Sequence, residues 1–168
     1  MYHHLVERKL RAVFDAINRG DAAPMVDALA PRFEYRFEGD SPIGGLRDTP
    51  ASMRQWWARL YRLFPGLRFE VRDVTVAGPP WRTRIHTLLE FSVPHDGGRY
   101  RNVVMQTMHM RWGRVTWVHT LEDTQRCARF LAWRRRSGLD EAEAAPITDR
   151  PWPEPGPFMR APVTEATD

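Results

Sequence analysis

The stretch from Trp81 to Glu122, WRTRIHTLLEFSVPHDGGRYRNVVMQTMHMRWGRVTWVHTLE, decides the fold of this chain. Trp81 to Val93 reads as a strand and His95-Asp96-Gly97-Gly98 as a hairpin turn; Tyr100 to Trp112 reads as a second strand, Gly113 turns, and Arg114 to Leu121 is a third. Side chains of a strand alternate between its two faces. One face collects Ile85, Thr87, Leu89 and Phe91, then Val104, Gln106, Met108 and Met110, then Thr116, Val118, Thr120 and Glu122. The other collects Arg82, Arg84, His86, Leu88 and Glu90, then Thr107, His109 and Arg111, then Trp117, His119 and Leu121. Long antiparallel strands joined by tight turns twist and coil, so such a sheet curls around whatever covers its apolar face.

Upstream, Leu67 to Val76 alternates as a further strand, closed by the turn Gly78-Pro79-Pro80. The cover comes from the first half of the chain. Leu5, Val6, Leu10, Val13, Phe14 and Ile17 recur at helical spacing, and Asn18-Arg19-Gly20 stops that helix. Asp21 is placed to cap a short second helix reaching Leu29, closed by Pro31; Phe33 to Glu38 alternates as a strand, and Gly39 to Gly45 reads as a loop. Thr49-Pro50 starts a helix to about Phe64 whose Met53, Trp56, Trp57, Leu60 and Leu63 form a wide stripe. Asp123 caps a closing helix that ends in Arg134-Arg135-Arg136 before Gly138. The expected fold class is α+β: a strongly curved antiparallel sheet with helices packed on its concave face, a cone-like α+β barrel or cystatin-like roll. Residues 1–138 form the domain. Residues 139–168, with six prolines and seven acidic residues against two arginines, read as a Pro-rich acidic tail, disordered or draped over the surface.

Composition narrows the function classes. The chain has 168 residues, enough for one domain with its own core, and 42% are hydrophobic. A single cysteine, Cys127, excludes an intrachain disulfide, and no apolar segment follows Met1-Tyr2-His3-His4, so a cytoplasmic location is expected. No apolar run approaches a membrane span, so no membrane partner is expected. Net charge is +4, or +9 over residues 1–138 once the −5 of the tail is taken away, but no recognition fold, zinc spacing or phosphate loop accompanies it. Arg126, Arg129 and Arg134 to Arg136 read as a solvated helix face, and nucleic acid is disfavoured.

The order helix, helix, strand, helix and four long strands resembles the nuclear-transport-factor-2-like superfamily, which includes ketosteroid isomerases, SnoaL-like polyketide cyclases and limonene-epoxide hydrolases. Phe14 to Asp21 is similar to its first-helix ending, Phe33 to Gly39 with Gly44-Gly45 to its first strand and glycine loop, and Trp112-Gly113-Arg114-Val115 to its last turn. The resemblance covers about residues 5–135. It implies a conical cavity and a homodimer through the outer sheet face. It also implies what is missing. The isomerase base, tyrosine and acid fall near Arg36, Val13 and Met108, which cannot do that chemistry, and the Asp-Arg-Asp set of the epoxide hydrolases has no clear counterpart. The acid/base aspartate of the cyclases falls late in the sheet, near Glu122-Asp123.

Glu122 and Asp123 are therefore the candidate catalytic pair. A carboxyl group in an apolar cavity has its pKa raised by desolvation and is suited to proton transfer near neutrality. The competing readings are a plain helix cap for Asp123 and a solvated side chain for Glu122. Tyr35, Phe37, Trp56, Trp57, Thr87, Gln106, Met108 and Thr120 are the candidate ligand-binding residues; the amide and hydroxyl of Gln106 and Thr87 on an apolar face need partners, which a ligand or a buried water would supply. His86, His109 and His119 lie on three consecutive strands, but their parity puts them on the outer face, so no metal is expected. The function expected is cofactor-independent proton transfer on a hydrophobic carbonyl or polycyclic metabolite, an isomerase- or cyclase-like activity. The alternative is a non-catalytic ligand-binding or dimerisation module of the same fold.

Overall fold

The computed structural model describes residues 1–151. Elements follow in the order α1 (Tyr2–Asn18), α2 (Ala23–Asp27), β1 (Leu29–Phe37), β2 (Gly45–Arg47), α3 (Pro50–Leu63), β3 (Arg68–Ala77), β4 (Thr83–His95), β5 (Gly98–Arg111), β6 (Arg114–Glu122) and α4 (Thr124–Arg136). The six strands make one curved, unclosed sheet in the order β2-β1-β6-β5-β4-β3. All pairings are antiparallel except β1 with β6, which is parallel and joins the first strand to the last. That α+β cone is the expected class of fold.

Local chemistry explains most boundaries. The Thr49 hydroxyl accepts the Ser52 amide at 3.2 Å, with Pro50 in the first turn, and the Asp123 carboxylate accepts the Arg126 amide at 3.0 Å. Asn18 ends α1 by clamping it to β3: its amide donates to the Phe69 carbonyl at 2.9 Å and its oxygen accepts the Phe69 N–H at 2.7 Å. Helix α1 starts at Tyr2, three residues before its apolar stripe, because tertiary contacts hold the extra turn; Tyr2 Oη lies 2.6 Å from Thr83 Oγ1 and His3 Nε2 lies 2.8 Å from the Gly78 carbonyl.

Three features differ from the sequence reading. Strand β1 begins at Leu29, the residue expected to end α2, and carries Pro31 through an irregular stretch between the Leu29 and Glu34 pairings with β6. The segment expected to be all loop ends in the short strand β2, where a Cβ on Gly44 would lie 2.0 Å from the Gly39 carbonyl oxygen, so only glycine fits. Between β5 and β6 the register shifts from His109↔Trp117 to Met110↔Val115, which makes Thr116 a bulge residue and gives its expected inward place to Val115.

Residues 139–150 lie along the domain. A 3-10 turn at Asp140–Glu143 buries Ala142, and Arg150 bridges to Leu46. Asp149 Oδ2 accepts the Asp48 and Thr49 amides at 2.8 and 2.9 Å and the Ser52 hydroxyl at 2.6 Å, so the tail supplies a carboxylate to the N-terminus of α3. The remaining tail, with Trp152 and Phe158, lies outside the described residues.

Candidate functional site

The concave face of the sheet and the Trp56–Trp57 stripe of α3 enclose a cavity lined by Tyr35, Phe37, Trp56, Trp57, Gln106, Thr120 and Glu122 among aromatic and aliphatic neighbours. Seven sequence candidates thus meet around one space. Three do not. Thr87 is buried on the same face but outside this lining, and its hydroxyl has no partner among the described residues. Met108 lines a separate apolar cleft, and Asp123 spends its half-exposed carboxylate on the α4 cap and Arg126. Of the expected pair, Glu122 lines the cavity and Asp123 does not.

Glu122 is the last residue of β6 and pairs with Val104 of β5, so its parity carries it inward beside Thr120. Burial raises its pKa to about 7 from an ordinary 4.5; a hydrogen bond from the Cys127 thiol opposes the shift, Asp123 adds to it, and the Asn102 amide opposes it. No arginine or lysine pairs with it among the described residues. The carboxyl is instead held by neutral donors. Asn102 Nδ2 lies 3.0 Å from Glu122 Oε2 and 3.0 Å from Tyr100 Oη, while Asn102 Oδ1 accepts the Val103 amide at 2.8 Å, which fixes which end of the side chain faces Glu122. The Cys127 thiol contacts both Glu122 and Tyr100, and burial pushes thiol and phenol well above their ordinary values, so both remain protonated beside the carboxyl.

One pleat repeat along the sheet, roughly 7 Å from Glu122 at two residues of strand rise, sits a second polar cluster. Gln106 Nε2 donates to Thr120 Oγ1 at 3.0 Å and to Tyr35 Oη at 3.3 Å, and Gln106 Oε1 is buried without a partner. Burial raises the Tyr35 pKa, against hydrogen bonds from Thr120 and Gln106 and the charge of Arg47, so the phenol stays a donor. Arg47 itself is fully buried. It donates to the carbonyls of Gly44, Gly45 and Ile147 and lies 4.9 Å over the Trp56 ring, with its pKa lowered to about 10 chiefly by burial. Sequence reasoning missed Arg47, Asn102, Tyr100 and Cys127. The available signal was parity: Asn102 shares the inward face with Val104 and Gln106.

The cavity leaves only ≈ 20 Å³ open to the centre of a water molecule, space for about one water. Next to it, between α1 and strands β4 to β6, runs an apolar cleft of ≈ 350 Å³ lined by Leu5, Val6, Leu10, Ile85, Met108 and Met110. Met25 lines both spaces. The histidines stand elsewhere: His86 Nδ1 is 3.1 Å from Thr107 Oγ1, His119 Nε2 is 2.6 Å from Glu38 Oε1, and His109 stacks on Trp117 at 4.8 Å, all on the outer face.

A curved, unclosed sheet covered by helices is the fold of the nuclear-transport-factor-2-like superfamily. The sequence matches the SnoaL-like domain family over residues 10–118, and the chain belongs to that family. Solved structures agree on the fold. PrhC from Penicillium brasilianum NBRC 6234 superposes with a TM-score of 0.66 at 9% identity, covering 84% of this chain and 96% of that one. An NTF2-like protein of unknown function from Burkholderia pseudomallei K96243 gives 0.63 at 18% identity, over 74% and 95%. Bal32a, from a soil-derived mobile gene cassette, gives 0.61 at 15% identity, over 80% and 98%. No protein of curated function matches the sequence. No helix among the described residues is long and apolar enough to cross a membrane.

Proposed function

We propose that this protein is a cytoplasmic SnoaL-like enzyme that moves a proton on a hydrophobic carbonyl compound without a cofactor, with Glu122 as the acid/base. One observation carries the reading: a carboxyl group with a pKa of about 7 faces an apolar cavity and has no cationic partner among the described residues. The second cluster supplies the complementary part. A carbonyl oxygen accepting from the Tyr35 hydroxyl, about 2.8 Å away, would lie in the cluster one pleat repeat, roughly 7 Å of backbone, from Glu122, once the substrate opens a cavity that now holds about one water. Gln106 and Thr120 orient the phenol. Glu122 takes the proton from the carbon next to the carbonyl and returns it to another position, and Tyr35 stabilises the charge on oxygen.

The test is hydrogen–deuterium exchange alpha to the carbonyl of 2-tetralone in D₂O, followed by NMR. The expected result is exchange above the buffer rate, rising through a pH near 7, reduced about 10²- to 10⁴-fold in Glu122→Gln and retained in Asp123→Asn. Exchange equal in wild type and Glu122→Gln would sink the assignment.

The near-filled cavity favours a second reading, a non-catalytic binder in which ligands occupy the ≈ 350 Å³ cleft and never reach Glu122. Line broadening of the same ketone by the protein with no exchange would select it. For either reading we propose a homodimer through the outer face, where Leu88, Met105 and Leu121 stand opposite one another across β4, β5 and β6 and are each at least 40% exposed. Met105→Glu is expected to shift sedimentation to the monomer.

A further inference from the structure

The end of the cone opposite Glu122 is built from two turns and the start of α1. The Trp112 amide donates to the Pro80 carbonyl at 2.7 Å, which ties the β5–β6 turn to the β3–β4 turn and brings Trp81 and Trp112 together at 5.9 Å between ring centroids. The indoles are 54% and 71% exposed. Trp112 also holds a φ of +50° ahead of Gly113 at +79°, a turn position that favours asparagine or glycine, so a large ring is kept there against a backbone cost. Tyr2 and His3 bond to Thr83 and Gly78, which sets the exposed Leu5 beside the same end, at the mouth of the apolar cleft that Gly113 also lines.

Around the indoles the charge is mainly basic, with the exposed Asp27 the acid beside Arg114. Arg82, Arg84 and Arg111 are exposed and make no ion pair among the described residues, and Arg114 donates to the Asp27 backbone carbonyl rather than to a carboxylate. The field is felt nearby: the His109 imidazole is held below its ordinary pKa first by burial and then by Arg84, His86 and Arg82. Protruding indoles within a basic rim match the interfacial region of a bilayer, where Trp sits at the headgroup level and Arg meets anionic phosphate.

We propose that this end is a docking surface for an anionic lipid bilayer, with Trp81 and Trp112 inserted at the headgroups and Arg82, Arg84 and Arg111 on the lipid phosphates. The expectation of no membrane partner rested on the missing spanning segment, and interfacial docking needs none. The apolar cleft opens within this surface, so a hydrophobic ligand leaving the bilayer enters it without crossing water. The docking itself is independent of any role for Glu122.

The experiment is co-sedimentation of the full chain with vesicles of phosphatidylcholine alone and of phosphatidylcholine doped with phosphatidylglycerol, in low and high salt. Binding is expected to the anionic vesicles only, weakened by salt, about fivefold weaker for each of Arg82→Gln and Arg111→Gln. It should be at least tenfold weaker in the double variant Trp81→Gln/Trp112→Asn, whose melting temperature confirms that it folds, and unchanged in Glu122→Gln. Equal binding to neutral vesicles, or full binding by the double variant, would overturn the proposal. So would capture of a single-stranded oligonucleotide, or self-association, lost in the same variants while anionic vesicles are ignored.

Discussion

The two ends of the β5–β6 hairpin break the usual rule of inside and outside in opposite directions. Where Val104 pairs with Glu122, an ionisable group sits inside among apolar side chains without a counter-charge. Where Arg111 pairs with Arg114, two indoles stand outside among arginines. Burying a carboxylate and exposing an indole both cost stability, and costs of this kind are expected to gather at functional sites. Between the ends the concave face obeys the rule, with Ile85, Leu89, Met108 and Val118 buried, and the outer face mixes polar His86 and Thr107 with the exposed apolar Leu88, Met105 and Leu121.

Glu122 has a folded pKa of about 7 against 4.5, so the folded state holds its proton longer than the unfolded state. Its penalty is absent below pH 4.5, grows as pH rises towards 7 and is full above it, amounting to about 3 kcal/mol at most. Glu122→Gln should therefore raise the melting temperature at pH 8 and leave it nearly unchanged at pH 4. An unchanged melting temperature at pH 8 would show that the inner end carries no cost.

Asp149 is a carboxylate whose pKa moves in the opposite direction. Burial opposes the shift, but hydrogen bonds from the Ser52 hydroxyl and from the amides and hydroxyl of Asp48 and Thr49 hold its pKa below 3.8. Its stabilisation is present above pH 3.8 and is lost as pH falls through the lower folded value. Asp149→Asn is expected to cost about 1 kcal/mol at pH 7, as a lost cap does, and nothing in strong acid. Denaturant titrations of both variants across pH should diverge in opposite directions. The outer end has the smallest expected effect: Trp112→Asn relieves the turn and should stabilise by up to ~1 kcal/mol. A loss of stability there would mean that the indole serves the fold and not a partner.

Much of the site was legible because it depends on parity. Alternation from Ile85 to Glu122 places Gln106, Thr120 and Glu122 on one face, and no long-range information is needed for that. Parity failed at Thr116, since one bulge residue reverses the face and leaves no mark in composition. It set Glu122 inward and left Asp123 as the cap of the next helix, which is where the two residues stand: one ends a strand and the other caps α4. The groups that tune Glu122 come from three elements: Tyr100 and Asn102 on β5, Cys127 on α4 and the cavity wall on α3.

By itself the sequence determined the long helices and strands, the caps Thr49 and Asp123 and, short of the bulge at Thr116, the two faces of the long strands, because these follow from interactions within a few residues. Tertiary structure alone decided that β1 runs parallel to β6, that β2 joins the sheet, that Arg47 is buried over Trp56 and that residues 139–150 dock on α3. It also decided how much space remains beside Glu122. Those outcomes depend on which distant surfaces exclude water from one another, and burial, which sets both the cavity and the pKa of the acid within it, is a property of the packed whole.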